Sequence, residues 1–297
     1  MSLPYKKIHI VINPAAGHDE PILNVLNDVF HPAGVEWDIS LTHKFGDATR
    51  LAREAAESGV ELVASYGGDG TQMEVANGLL GTGIPQAILP GGTGNAMAHD
   101  LKVPINLRQA AELIIASPKR RAIDLARIGD RVFMLRAYAG LNAQDAASRE
   151  QKDKLGQLAY VQASLKFLKD MPHANYRAVV DGEVIEGEAV ICFILNAGSI
   201  GGVMGVEIPP VGEVSVSDGY LDLYAITKGL QPLRAISHYI FHHGNAQAGV
   251  YAWRGKEITL EADPIQDVWI DGELGGVTPF TVTAMPQALE IVVPVTG

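Results

Sequence analysis

The sequence predicts a parallel α/β domain followed by a mainly antiparallel β domain. Three observations carry this expectation. Up to about residue 120, short apolar runs alternate with segments of helical spacing. Two glycine loops, within Ser65–Leu79 (SYGGDGTQMEVANGL) and from Leu89 onward (LPGGTGNAMA), each follow such a run and open such a segment. Beyond Arg121 the pattern changes to short alternating strands joined by hairpin signals.

The elements follow in order. Ile8–Ile12 is a continuous apolar run, as expected of a strand buried on both faces. Asp19 is expected to cap a helix with Pro21 in its first turn and Ile22, Val25, Leu26, Val29 and Phe30 on one stripe. A second strand, Trp37–Leu41, leads to a helix with Leu51, Ala52, Ala55 and Ala56 on its apolar face, stopped at Gly59. Strand and helix pairs at 62–80 and 85–100 repeat the theme, and in such domains ligands bind at the loops after the strand ends. In the second half, strands are expected at 122–128, 132–138, 177–180, 184–189 and 189–195, with Gly129-Asp130 and Asp181-Gly182 as hairpin turns. Helical segments are expected at about 143–170 and 231–243. The domains are drawn at 1–121 and 122–297, with the C-terminal strand free to return to the first.

Composition narrows the function classes. A chain of 297 residues can bury a core in each of two domains, and 47% apolar with 19% charged residues is ordinary for a soluble protein. The one cysteine, Cys192, sits in the apolar run Val190–Ile194, which excludes an intrachain disulfide framework and points to a core position. The only early apolar run has five residues before Asn13, too short for a signal peptide or a membrane span, so a cytoplasmic protein is expected. With 23 Lys and Arg against 34 Asp and Glu, the net charge of −11 argues against nucleic-acid partners and against tight adsorption to anionic membranes. The tight basic cluster Lys119-Arg120-Arg121 is expected at a solvated helix end.

The glycine loops carry the chemistry. Successive glycines in Gly67-Gly68-Asp69-Gly70-Thr71 let backbone N–H groups converge on an anion, and the following helix adds its positive dipole end. As a plain turn, with Thr71 capping the helix, three glycines around one acid would cost chain entropy without return. Asp69 would repel a phosphate unless a cation lay between, so the loop suggests a metal–nucleotide complex. Asp69 would hold Mg²⁺ directly or through water, or orient an acceptor hydroxyl. Glu74 and Asn77 either extend the site or face solvent from the helix. Gly91-Gly92-Thr93-Gly94-Asn95 adds a second set of amides and the Thr93 hydroxyl. Asn13-Pro14-Ala15-Ala16-Gly17 closes the first strand as a turn that, beside two glycine loops, completes a nucleotide site.

These motifs together resemble the diacylglycerol kinase catalytic domain family, which includes bacterial soluble lipid kinases and the sphingosine and ceramide kinases. The resemblance covers most of the chain, through Asn13–Gly17, the GGDGT loop, the Gly91–Asn95 loop, Ser217-Asp218-Gly219-Tyr220-Leu221-Asp222 and Asp271-Gly272-Glu273. It implies a Rossmann-like nucleotide-binding domain, then a β-sandwich domain, with the active site between. It implies ATP as co-substrate, Mg²⁺, and a diacylglycerol-like or sphingoid lipid acceptor met by transient membrane-surface contact. It places a nucleotide-contacting hydroxyl at Thr42. It also places a Mg²⁺ on Asp218 and main-chain carbonyls near Ser215 and Tyr220, a mixed oxygen set that suits a hard cation. In the family an acid of the last motif is the general base toward the lipid hydroxyl. Glu273 is favoured, with Asp271 orienting it or bridging to magnesium, and the reverse stays open. Many bacterial members carry Asp where this chain has Ala96, which leaves the substrate subgroup open.

Weaker signals are set aside. The triplet Asp181-Gly182-Glu183 reads as a hairpin turn, His238 and His242 have zinc spacing without an H-E-x-x-H motif, and Ser199 and Ser237 lack a nucleophile elbow. An apolar stripe, Leu158, Val161, Leu165 and Leu168, either packs as core or meets lipid. An NAD kinase shares a GGDGT loop, but its dinucleotide motif is replaced here by the second glycine loop; phosphofructokinase is a weaker relative on the same loop. A catalytically silent lipid-binding protein would lack acids that this chain keeps. Homodimer formation stays open.

Overall fold

β1 (Lys7–Ile12) has Ile8, Ile10, Val11 and Ile12 buried and so can only be a central strand, with neighbours on both sides. A computed structural model describes residues 3–17, 20–140, 173–197, 214–227, 234–235 and 250–295. After β1 come α1 (Ile22–Ala33), β2 (Glu36–Leu41), α2 (Asp47–Glu57), β3 (Leu62–Gly67), α3 (Asp69–Leu79), β4 (Gln86–Pro90), α4 (Ala96–Asp100) and α5 (Leu107–Ala116). Then follow β5 (Arg120–Ile128), β6 (Arg131–Phe133), β7 (Arg136–Ala139), β8 (Ala174–Val180), β9 (Glu183–Ala189), β10 (Ile191–Leu195) and β11 (Leu221–Ile226). The rest are β12 (Arg234–Ala235), β13 (Val250–Gly255), β14 (Glu257–Asp263), β15 (Asp267–Ile270), β16 (Glu273–Val277) and β17 (Phe280–Val292).

The chain divides into two compact units, one of residues 1–125, 132–134 and 285–297, the other of 126–131 and 135–284. In the first, parallel strands run in the order β4-β3-β1-β2, and β17 joins β4 in parallel through Ile291 and Gln86. Neighbouring β1 and β3 are not consecutive in sequence, so the order reverses between them. Such switch points open a crevice at the carboxyl ends of the strands. The helices bury the stripes that their sequences carry: Leu26, Val29 and Phe30 of α1, Ala48, Ala52 and Ala55 of α2. Gly34 ends α1 in the left-handed conformation, with its amide on the Phe30 and His31 carbonyls.

In the second unit, β13-β11-β10-β7-β15-β16 form an antiparallel sheet. β12-β9-β8-β14 form another, continued by the first residues of β17. Its core gathers Tyr138, Ile191, Phe193, Leu195, Tyr224 and Ile226, with the Tyr138 ring 5.5 Å from Phe193 and stacked 6.4 Å from Trp269. Burial pushes the Tyr224 phenol up to about 12, and it keeps the Cys192 thiol, 2% exposed, well above the ordinary thiol range. Cys192 is thus an inert core residue, as its apolar run suggested. The two-domain fold, parallel α/β then antiparallel β, is the one the sequence predicts.

Several local expectations are corrected. Arg120 and Arg121 begin β5 and do not end a helix. Arg120 donates to the Tyr5 hydroxyl (3.1 Å) and pairs with Glu290 (3.1 Å) on β17, a partner no local pattern could reveal. The strand expected at 132–138 is broken at Met134-Leu135 into β6 and β7. Pro21 occupies the N-cap of α1, one position before the first turn, while the expected cap Asp19 lies outside the described residues. Of the expected helix at 231–243, the described residues Arg234 and Ala235 pair as a strand with Glu186 and Ile185. The remainder of that segment, with His238, His242, His243 and Ser237, lies outside the described residues, as do Ser199 and the segment 141–172 that includes Leu155–Leu168.

Candidate active site

Three loops of the first unit leave the carboxyl ends of β1, β3 and β4 and are stitched to one another. Asn13 ties the first to the second: its amide donates to the Tyr66 carbonyl (2.9 Å) and its Nδ2 to the Thr71 hydroxyl (3.1 Å). Its Oδ1 meanwhile accepts from Ala15 N (3.0 Å), turning the chain through exposed Pro14. Gly17 has φ +96°, and any Cβ there would strike the Tyr66 hydroxyl. Tyr66 itself is fully buried and donates to Glu20 (2.8 Å); burial, then Glu20, raise its phenol far above the ordinary value.

The second and third loops touch backbone to backbone. A Cβ on Gly92 would lie 2.5 Å from Gly68 Cα, so this approach requires glycine. Gly91 N donates to the Gly67 carbonyl (2.9 Å), extending the β3–β4 ladder to the loop bases. Gly68 is the N-cap of α3 and Asp69 its first residue, so Thr71 lies inside the helix and does not cap it. Asp69 accepts from Met97 N (3.3 Å) at the start of α4, while Gly70 and Thr93 are exposed beside it. Asn95 adopts φ +47° and closes its loop on Gly92, accepting from its amide (2.9 Å) and donating to its carbonyl (2.7 Å). The result is a rim of glycine amides at a helix N-terminus with one carboxylate at its edge, suited to phosphates that arrive with a cation.

Thr42 is buried just past β2, its amide on the Ile12 carbonyl (2.9 Å), which puts it beside the end of β1. The loop after it is held by two carboxylates. Asp47 accepts from His43 N (3.0 Å) and Lys44 N (3.1 Å), and Glu74 from Gly46 N (2.9 Å) and Ala48 N (3.1 Å). The His43 amide, followed by that of Lys44, holds the Asp47 carboxyl below the usual aspartate range. Glu74 therefore acts through this loop, a role the sequence did not suggest. Asn77 donates to the Met73 (3.1 Å) and Val132 (3.2 Å) carbonyls and anchors β6.

Beneath the loops lies a polar cluster that sequence reasoning missed. Gln72 donates to the Ser65 (3.0 Å) and Gly67 (3.2 Å) carbonyls. Gln86 donates to the Ser65 hydroxyl (2.8 Å) and the Gln72 carbonyl (3.1 Å), and the Ser65 hydroxyl also bonds Gln72 Oε1. All three side chains are at most 2% exposed. Buried amides in apolar strands need partners, and here they fix the end of β3 to the start of α3. Polar residues interrupting the runs around Ser65 and Gln86 were the available signal.

In the second unit, Asp271 sits at the β15–β16 turn with φ +49°. Its Oδ1 accepts from Leu135 N (3.1 Å) and Arg136 N (2.8 Å), at the break that separates β6 from β7. Glu273 begins β16 and pairs with Arg131 at 2.7 Å. The structure thus brings Asp271, Glu273 and Arg131 together in this unit and the three loops together in the other. Asp218 lies in the turn before β11 with Ser215, and Tyr220 N donates to its carboxylate (3.1 Å). Among the described residues no cluster of three His, Cys, Asp or Glu side chains could hold a metal, and no helix is long and apolar enough to cross a membrane.

Residues 7–128 match the family model of the diacylglycerol kinase catalytic domain, and residues 136–293 match that of the YegS C-terminal NAD kinase β-sandwich-like domain. The chain is 28% identical over 301 residues to a diacylglycerol kinase of Bacillus subtilis, covering 97% of each. It is 29% identical over 267 residues to a Staphylococcus haemolyticus protein provisionally named a lipid kinase, covering 85% of this chain and 84% of the other. A solved Bacillus anthracis structure, provisionally titled a diacylglycerol kinase, aligns over 100% of both chains with a TM-score of 0.80 at 27% identity.

Proposed function

We propose that this chain, which belongs to the diacylglycerol kinase catalytic domain family, is an ATP- and Mg²⁺-dependent lipid kinase that transfers the γ-phosphate to a hydroxyl of a diacylglycerol-like or sphingoid lipid. The observation that supports this reading best is the stitching of three loops at the carboxyl ends of β1, β3 and β4, with Asp69 at the rim of glycine amides.

In this reading the amides of Gly67–Thr71 and Gly91–Asn95, with Asn13, Gly17 and Thr42 beside them, hold the triphosphate. The Asp69 carboxylate supplies the hard oxygen donor through which Mg²⁺ would be held, and the ion would neutralise phosphate charge. Positioning and charge neutralisation carry most of the rate, as in other phosphoryl transfers. Glu273 accepts the proton of the attacking hydroxyl, while Asp271, fixed by two amides, sets the turn that presents it. An acceptor that lives in a bilayer must be met at the membrane surface, and a net charge of −11 leaves that contact to apolar groups.

The test is coupled ADP release with a panel of diacylglycerols, sphingoid bases and NAD as acceptors, the lipids in mixed micelles. Release that requires Mg²⁺ and a hydroxyl-bearing lipid is expected; turnover of NAD without lipid would replace the proposal. Asp69→Asn is expected to abolish turnover while the thermal midpoint stays near that of the parent. Full activity in a folded Asp69→Asn protein would take the loop out of the mechanism.

A further inference from the structure

The resemblance puts a divalent cation on Asp218, and the donor set found there does not fit one. One Asp218 oxygen accepts from Tyr220 N (3.1 Å) and the other pairs with Arg254 Nη1 (3.1 Å). The same guanidinium reaches on to Asp222, Nε to Oδ1 at 2.8 Å and Nη2 to Oδ2 at 3.0 Å. This fork follows from strand register, since Asp222 of β11 and Arg254 of β13 are directly opposed. Asp222 is 6% exposed, and a buried carboxylate cannot be left without its counter-charge, so Arg254 is held in place. A second cation stands at the turn, with Lys256 Nζ 5.3 Å from the centre of the Tyr220 ring. Two carboxylates therefore share one guanidinium, and a second cation sits over the ring of the same turn. A divalent ion, which demands several free oxygens at close range, would meet repulsion and occupied donors.

We infer that in this chain the Arg254 guanidinium takes the place of a divalent cation at the Ser215–Tyr220 turn, which is closed by an internal ion and needs no metal. Any magnesium requirement then belongs to the nucleotide alone. The inference stands whether or not the protein is a lipid kinase, because its test uses no turnover.

The probe is Mn²⁺, titrated into nucleotide-free protein and followed by electron paramagnetic resonance, with thermal midpoints measured in Mg²⁺ and in EDTA. The parent is expected to bind no Mn²⁺ that Asp218→Asn removes, and to melt at the same temperature in both media. Arg254→Met is expected to melt lower and to gain one Mn²⁺ site that Asp218→Asn abolishes. An Asp218-dependent Mn²⁺ site in the parent would overturn the inference, as would a folded Arg254→Met protein without such a site. Should Arg254→Met fail to fold, the parent and Asp218→Asn decide the matter by themselves.

Discussion

The chain carries the triplet Asp-Gly-Glu twice, and the two copies fold almost identically. Asp181 and Asp271 have φ of +48° and +49°, and the glycines that follow have +91° and +94°. Each aspartate places its own amide on a carbonyl at 2.9 Å and accepts two consecutive backbone amides on one oxygen, from Lys256 and Glu257 in the first case, Leu135 and Arg136 in the second. What differs is the surroundings. The Asp181 turn braces the short link between β13 and β14, whereas the Asp271 turn fills the break between β6 and β7 and sets Glu273 against Arg131. The triplet encodes a turn with a built-in amide acceptor. Whether it also encodes chemistry depends on residues far away in sequence.

The two turns differ most at their glutamates. Glu273→Gln is expected to lower turnover about 10²–10⁴-fold while barely raising the Michaelis constant for ATP, the signature of a lost general base. Glu183→Gln should leave both constants alone. If Asp271→Asn proves more damaging to turnover than Glu273→Gln, the two acids exchange roles; if Glu183→Gln is as damaging, the second turn has no special standing.

A smaller effect separates the aspartates. Asp181→Ala leaves two exposed backbone amides to water and should cost about 0.5–1.5 kcal/mol in denaturant unfolding. Turnover per folded molecule should not change. A matching loss of turnover at full folding would mean that the Asp181 turn also serves the reaction.

The smallest effect extends the comparison to Asp47, a third carboxylate seated on backbone amides. Its folded pKa lies below the value of about 3.9 expected in an unfolded chain. The stability it supplies is therefore present above that value and is lost as pH falls through the folded one. Asp47→Asn should lower stability at pH 7 slightly, and the gap between variant and parent should close as pH falls through the folded value. A gap that stays constant with pH would show that these amides do not discriminate the charged form.

The alternation of apolar runs and helical stripes made the first unit readable, because strands such as Leu62–Gly67 are buried throughout and must be apolar on both sides. The glycine loops were readable for a related reason: only glycine permits the Gly68–Gly92 approach. What failed depended on distant partners. Arg120 looks like a helix-end cation until Glu290 is placed beside it, and the Met134-Leu135 break makes sense only when Asp271 receives the amide there. Gln72 and Gln86 escaped notice, and Glu74 was read as a site or surface residue and not as a brace, because side chains that hold a loop carry no spacing of their own. The edge strand β16, Glu273–Val277, is exposed along its length and offers no alternation to detect.

β17 has one further consequence, in the order in which the protein can be made. Its first residues, Phe280–Thr283, pair with β14 of the second unit, while Ile291 pairs with Gln86 of β4 in the first. Near the changeover, Gln287 N donates to Asp124 (2.8 Å); beyond it, the Val293 carbonyl accepts from the Ser117 hydroxyl (2.7 Å). The first unit, though most of it is written early in the message, therefore has to wait on the ribosome for residues encoded after the whole second unit. Until they emerge, β4 lacks its neighbour on the side away from β3 and the buried Asp124 carboxylate lacks the Gln287 amide. A nascent chain in that state carries an open sheet edge, the kind of surface that chaperones protect and that neighbouring chains can capture.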